Sequence, residues 1–373
     1  MISKRLKIAT FSDVHLGHRK TPTVEIIKAL KIAVPDKTET SELDLIFIPG
    51  DFFDRFLNLP NDDVFEIHSY IGWLLRMCKR RDIVLRVLEG TPSHDWKQSR
   101  LVESINENAG IDADAKHVPE LSIEYIERFG INILYIPDEW SSDNDDTYQQ
   151  VVKLMSEHGL KQVDFTLMHG CFPYQLPAHV QVPTHDPDRY ADLTKYYVLC
   201  GHVHKPSRYR NIIVPGSFDR LAHNEEEAKG HWRLEVTQKS DGDHITFIEN
   251  EGAKPYLTLN CTGQSQDEVL ETVEARVKDV PNGAHLRVAA TSDDPAAASL
   301  DVLRRKYPMF QWTSKIESNA RMGRDTLTDL RATFQTTPIT RKSIAPMIEE
   351  RLKEMSVERD ELSHALEALK EVI

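Results

Sequence analysis

Residues able to hold a metal ion recur along the chain as Asp13-Val14-His15, Gly50-Asp51-Phe52-Phe53-Asp54, Ser93-His94-Asp95, His169-Gly170 and Gly201-His202-Val203-His204. Five of the 16 histidines fall in this set, and any one alone reads as a surface histidine or a turn residue. Their recurrence just after apolar runs is what points to a shared site. Mixed imidazole and carboxylate donors suit manganese, iron or zinc, and the lack of thiolates in the set argues against a structural zinc site. More donors are present than one ion can use, so two ions sharing a carboxylate is the economical solution. Two ions about 3.5–4 Å apart would hold both oxygens of an in-line phosphoryl displacement and deprotonate a water near neutral pH.

Such donors need elements that aim them at one point. Leu43 to Ile48 is an apolar run with the length and composition of a buried parallel strand. Gly50 at its exit permits a turn forbidden to other residues, so the backbone can direct Asp51 across the top of a sheet. Taken alone, G-D-x-x-D also reads as a strand followed by a capped turn. Further strands are expected at Leu6–Ser12, Ile83–Leu88, Ser122–Ile126, Ile131–Ile136, Val163–Met168 and Tyr196–Cys200. Helices are expected near Val24–Val34, Asp62–Arg81, Gln98–Glu107 and Thr147–Glu157, with a polar loop at Ser141–Asp146 and an irregular, Pro-rich stretch at Cys171–Asp188. More β-rich segments follow at Asn211–Pro215, Arg233–Val236 and Ile245–Ile248. The repeated order of strand, loop with Asp or His, and helix predicts a layered α/β domain with its chemistry along one sheet edge.

The texture changes near Glu251–Pro255. A compact alternation follows, with strands at Tyr256–Asn260, His285–Ala290 and Phe310–Ile316 and helices at Gln266–Val277 and Ala296–Lys306. The expected division is a main domain at 1–250, a small α/β capping domain at 251–336 and a helical tail at 337–373. In the tail, Ile348, Leu352, Met355, Arg359, Leu362, Leu366, Leu369 and Ile373 form a coiled-coil-like seam with one charged slot. It either packs on its own domain or docks a helical partner.

The 373 residues carry 28% charged and 40% hydrophobic side chains, which places them in the globular class. No apolar run is long enough to span a membrane, and no signal peptide is legible, so a cytoplasmic protein is expected. The four scattered cysteines read as core residues in a reducing compartment. The net charge of −13 counts against a protein that coats nucleic acid generally, although local phosphate contacts remain open.

In this order, D-x-H, G-D-x-x-D, a G-x-H-D-like segment, an isolated H-G and G-H-x-H resemble the calcineurin-like metallophosphoesterases. Pro215-Gly216-Ser217-Phe218-Asp219-Arg220, Glu225 through Gly230, and Asp51–Asp54 with Leu59-Pro60 downstream narrow the resemblance to SbcD-type DNA-repair nuclease subunits of bacteria and phages. It covers roughly Leu6 to Val236. The resemblance implies Asp13, His15, Asp51 and His204 at a first metal, and Asp51, His169 and His202 at a second. His94 is implied as the catalytic histidine that orients the phosphate or protonates the leaving oxygen. Asp54 is counted beside it as a supporting acid, with a turn-capping role as the alternative. Mn2+ is the implied ion, with Mg2+, Fe2+ and Zn2+ as alternatives. DNA, an SbcC-like ATPase bound through the C-terminal helix, and a second copy of the chain are the implied partners.

One departure stands out. The family usually reads G-N-H-D, with the Asn oxygen on the second metal, whereas this chain reads Gly90-Thr91-Pro92-Ser93-His94-Asp95. Ser93 is the expected replacement ligand, with Thr91 or a water as alternatives. A hydroxyl is a poorer ligand than an amide oxygen, so the second metal is expected to bind weakly and Ser93→Asn to tighten it. DNA contacts are expected from Lys79-Arg80-Arg81, Arg208 with Arg210, or Arg304-Arg305-Lys306. The competing readings are a small-molecule phosphodiesterase and an inactive scaffold. Retention of every His and Asp donor argues against the scaffold.

Overall fold

The structure, a computed structural model, describes residues 5–317 except 59–61, 139–140, 142, 178, 181, 224, 238–241 and 292–293. The chain divides into two compact units, residues 1–290 with 294–315 and residues 291–293 with 316–373. Nearly all of the second unit, including the expected docking seam at Ile348–Ile373, lies outside the described residues.

The chain runs β1 (Leu6–Thr10), α1 (Thr23–Ala33), β2 (Leu45–Pro49), α2 (Asp62–Arg81), β3 (Val84–Leu88), α3 (Pro92–Asp95), α4 (Leu101–Asn108) and β4 (Ala115–Val118). It continues through β5 (Ser122–Ile126), β6 (Ile131–Ile136), α5 (Asn144–Glu157), β7 (Val163–His169), α6 (Pro187–Leu193) and β8 (Thr194–Gly201). Four short strands follow, β9 (Ser207–Tyr209), β10 (Ile212–Val214), β11 (Gly230–Val236) and β12 (His244–Glu249). The last stretch is β13 (Tyr256–Asn260), α7 (Gln266–Arg276), β14 (His285–Thr291), α8 (Leu300–Lys306) and β15 (Gln311–Glu317).

Two six-stranded mixed sheets form the body. In the first, β1 to β4 pair in parallel and β11 joins β1 antiparallel, with β12 outside it. In the second, β6, β7, β8 and β10 pair in parallel, flanked by antiparallel β5 and β9. Side-chain alternation sets the layers. Leu45 and Phe47 of β2 meet Ile133, Phe165, Leu167 and Leu199 between the sheets, while Ile46 and Ile48 face Ile26, Leu30 and Ile71 of α1 and α2. Met168, Val198 and Cys200 face outward onto Val151 of α5 and Tyr190 of α6. The central strands are therefore covered on both faces, which is why they read as unbroken apolar runs. Each such Leu, Ile or Phe contributes about 1.5–3 kcal/mol of burial.

The expected strands and long helices are present, with differences that local capping explains. Helix α6 starts inside the stretch expected to be irregular, because Asp186 accepts from the N–H groups of Asp188 and Arg189 and Pro187 begins the first turn. Helix α5 starts at Asn144, inside the expected polar loop, because Asp143 caps it through Asp145 N. The helix expected from Gln98 splits into a 3₁₀ turn, Gln98–Arg100, and α4. Helix α3 and strands β4 and β9 are additions to the expected elements.

Beyond residue 250, β13, β14 and β15 form a three-stranded sheet with its own core, including Leu259, Val269, Val273, Leu286, Val288 and Trp312. No described helix is long and apolar enough to cross a membrane. All four cysteines are buried and free.

Candidate metal centre

After β1 the backbone stays zipped to the loop that follows β2. Asp13 N donates to Gly50 O, Val14 N and His15 N both donate to Asp51 O, and Leu16 N donates to Phe52 O. These bonds hold Asp13, His15 and Asp51 at φ values of 49°, 53° and 49°. Left-handed backbone at non-glycine residues costs on the order of 1–3 kcal/mol each and persists only where surrounding structure imposes it. Three such residues together single out this edge of the sheets. Gly50, at φ 85°, is irreplaceable on two grounds: a Cβ there would also lie 2.2 Å from His169 Nδ1. At Gly90 a Cβ would lie 2.1 Å from Asp51 N, so β3 can approach the Asp51 turn only with glycine at that position.

The side chains brought together are buried, with Asp13 and His169 fully inaccessible and Asp51 and His15 at 2%. The ring nitrogens His15 Nε2 and His204 Nε2 lie 3.2 Å apart. His204 Nε2 is 3.9 Å from Asp13 Oδ1, and His15 Nε2 is 3.8 Å from Asp51 Oδ2. On the other side of Asp51, His169 Nε2 is 3.4 Å from Oδ1. Ligand atoms of Asp13, His15 and His204 lie within 4.8 Å of one another, as do those of Asp13, Asp51 and His169, and those of His15, Asp51 and His94. Asp51 thus stands between two groups of donors.

The histidine tautomers follow from their neighbours. His169 Nδ1 is 2.8 Å from Pro49 O, and His94 Nδ1 is 2.7 Å from Asp54 O. A carbonyl only accepts, so Nδ1 carries a proton in both rings and Nε2 is the nitrogen left to face the cluster. His204 Nδ1 donates to Glu225 Oε1 at 2.8 Å, and His15 Nδ1 lies 3.2 Å from Asp54 Oδ1. Holding one imidazole nitrogen with an oxygen while the other faces a cluster of donors is the arrangement of metal-ligating histidines.

Burial works against ionisation of Asp51, but His169 and His15 outweigh it and hold the carboxylate below its ordinary range. Burial likewise opposes ionisation of Glu225, yet its bond to His204 brings it down to about 2. Asp95 goes the other way: burial, then the Asp51 charge, pushes it well up. Its oxygens accept from Phe53 N and Gly90 N, so it clasps the loops after β2 and β3 together and is not a ligand.

The structure separates the two side chains expected to stand in for the missing Asn. Ser93 is exposed in α3, and its carbonyl accepts from Trp96 Nε1. Thr91 instead reaches the cluster, its N–H 2.6 Å from Asp51 Oδ1 and its hydroxyl 3.2 Å from Asp51 Oδ2 and 3.4 Å from His169 Nε2. The inserted Pro92 starts a helical turn that carries Ser93 away and returns His94 to the cluster. Asp54 supports the site without joining a donor group, through its carboxylate toward His15 and its carbonyl to His94.

The expected DNA-contact clusters are largely engaged elsewhere. Lys79 pairs with Asp112, Arg80 and Arg81 with Asp36, Arg210 with Asp188 and Asp192, Arg304 with Asp301, and Lys306 with Glu274. Sequence reasoning missed Asp138, just past β6, whose ligand atom lies within 4.8 Å of those of His169 and His202. Its only sequence signal is an acid two residues after an apolar run. A cavity of about 480 Å³ opens beside it, lined by Asp138, His202, Gly170, Cys171 and His185 among others.

Fold and site together define a layered α/β protein in which His and Asp ligand atoms gather within 4.8 Å of one another at one sheet edge. No family model matches the chain, and no curated protein sequence matches it. Solved structures do match; one has a TM-score of 0.42 at 13% identity, covering 66% of this chain and 100% of that one, which is too distant to inform the site.

Proposed function

We propose that the chain is a metal-dependent phosphodiesterase of the calcineurin-like kind, and within it a DNA nuclease of the SbcD type. One observation carries the chemistry: Asp51 stands between two groups of His and Asp donors, and contacts at Nδ1 of His169 and His204 leave their Nε2 atoms facing the cluster. Asp13, His15, Asp51 and His204 would hold one divalent cation, Mn2+ by donor type, and Asp51, His169 and His202 the other. Bound there, such ions supply Lewis-acid polarisation of a phosphoryl group and a lowered water pKa. His94, fixed through Nδ1 by Asp54 O, would face the phosphate with Nε2, which when protonated hydrogen-bonds a phosphate oxygen or passes its proton to the leaving group. Asp13 accepts from His202 N through both oxygens, at 3.0 and 3.1 Å, which keeps the two donor groups in register.

DNA as substrate, the SbcC-like ATPase as partner, a homodimer and a cytoplasmic setting rest on the sequence resemblance. A small phosphodiester is the second reading. It is favoured by the neutralised basic clusters and by the size of the cavity beside His202, which suits a small ligand.

The test incubates purified protein with Mn2+ and either end-labelled linear duplex or a chromogenic phosphodiester. Cleavage of both, abolished by chelator and lowered about 10²–10⁴-fold in His94→Gln, is expected. Hydrolysis of the ester alone selects the second reading. No hydrolysis of either substrate, or an unaffected His94→Gln, sinks the catalytic claim.

A further inference from the structure

Three neighbouring strands of the second sheet deliver a donor from the same end. The order β6-β7-β8 is parallel throughout, with Ile136 beside Met168 and His169 beside Gly201. β7 ends in His169, β8 leads into His202, and β6 leads through Pro137 into Asp138. Position along the sheet therefore makes Asp138 the counterpart of two residues already in the site.

Its geometry is that of a ligand and not of a hydrogen-bonded support. Asp138 is largely buried, with 11% of its side chain exposed, and its Oδ2 is 3.7 Å from His202 Nδ1. That is too long for a hydrogen bond. Donors bound to one cation at about 2.0–2.2 Å lie about 3–3.6 Å apart, close to the separation seen. Thr91, which also reaches the cluster, is a weaker candidate, because its hydroxyl is directed at Asp51 Oδ2 as a donor and carries no charge. His202 also differs from His169 and His94, since the nitrogen nearest a carboxylate of the cluster is Nδ1 and its ring is bound to no carbonyl among the contacts described.

We propose that Asp138 is a ligand of the second cation, replacing by a carboxylate from β6 the amide oxygen that the Gly90–Asp95 segment lacks. This rests on the two-cation reading above. It reverses the expectation of a weak second site, because a carboxylate is a stronger ligand for a hard cation than either an amide oxygen or a hydroxyl. The cavity lined by Asp138 and His202 opens beside these donors.

The experiment titrates the full chain, freed of metal by chelator, with Mn2+ under calorimetry and electron paramagnetic resonance. Wild type is expected to bind two ions with a spin-coupled spectrum. Asp138→Ala is expected to keep one ion and lose the coupling, with the second site weakened at least about tenfold. Asp138→Asn, which keeps shape and an oxygen without the charge, is expected to fall between them, and equal unfolding midpoints in chelator confirm that the variants fold. Thr91→Val is expected to bind two ions. Unchanged two-ion binding by Asp138→Ala, or loss of the second ion in Thr91→Val alone, overturns the assignment and leaves the two-cation reading standing. Wild type binding fewer than two ions overturns the two-cation reading itself.

Discussion

The two donor groups on either side of Asp51 are built by opposite means. Asp13, His15 and His204 sit on loops, and a chain of charged side chains braces them. Glu225 accepts from His204 Nδ1, Ser217 Oγ and Leu221 N, and the fully buried Lys229 reaches His204 O at 2.8 Å, Glu227 at 2.9 Å and Glu225 at 3.1 Å. His169 and His202 instead leave the ends of paired strands, and a main-chain carbonyl, Pro49 O, orients His169. The first group depends on side chains that a single substitution can remove, and the second on sheet register. The bracing of the first side is therefore open to single substitutions, whereas the backbone placement of the second follows from the sheet itself.

The comparison breaks most decisively at the residue common to both sides. Asp51→Asn is expected to lower phosphodiester hydrolysis at least about a thousandfold and to weaken both cations. Calorimetry showing one ion unaffected would mean that Asp51 is not shared. Next in size is Lys229→Met, which strands Glu225 and Glu227 against a buried apolar side chain. Urea unfolding without metal should show a loss of about 3–5 kcal/mol. A loss under about 1 kcal/mol would mean that the loop side is braced by something other than this network.

The same side carries a pH signature. Asp219, in the segment that also holds Ser217, is buried, and burial pushes its carboxyl up to about 6 from an ordinary 3.8. A folded pKa above the unfolded one means that the stabilisation is complete below about pH 3.8 and is lost as pH rises through about 6. Asp219→Asn should remove that decline, a relative gain on the order of 2–3 kcal/mol at pH 7 in unfolding curves taken from pH 3.5 to 7.5. A decline of the same size in the variant would assign it to another group. The smallest effect expected is that of Ser93→Asn, within about 0.5 kcal/mol in stability and without change in Mn2+ affinity, since Ser93 is exposed. Tighter binding in that variant would return Ser93 to the second site.

What was legible beforehand follows the range of the interaction. Buried parallel strands announce themselves by apolar runs, and Gly50-Asp51, Asp13-x-His15 and Gly201-His202-Val203-His204 stand at their exits, so the layered α/β body and most of the cluster were readable from neighbours in the chain. Helix α6 was hidden because its start depends on one capping Asp186 inside a Pro-rich stretch. The ion pairs of the basic runs were hidden because their partners are distant in sequence: Lys79 and Arg80 meet Asp112 and Asp36, 33 and 44 residues away. The choice between Thr91 and Ser93 turned on a helical turn of four residues begun by Pro92.

By itself, then, the amino-acid sequence determined which residues end the strands and that they are of types able to hold cations. Local propensity and burial act over a few residues, and they suffice for that. The tertiary structure decided which donors share a point, which nitrogen each histidine presents, and that Asp138 joins His169 and His202. Those outcomes depend on strands that are neighbours in the sheet while their ends lie some thirty residues apart in the chain, and no local pattern encodes that adjacency.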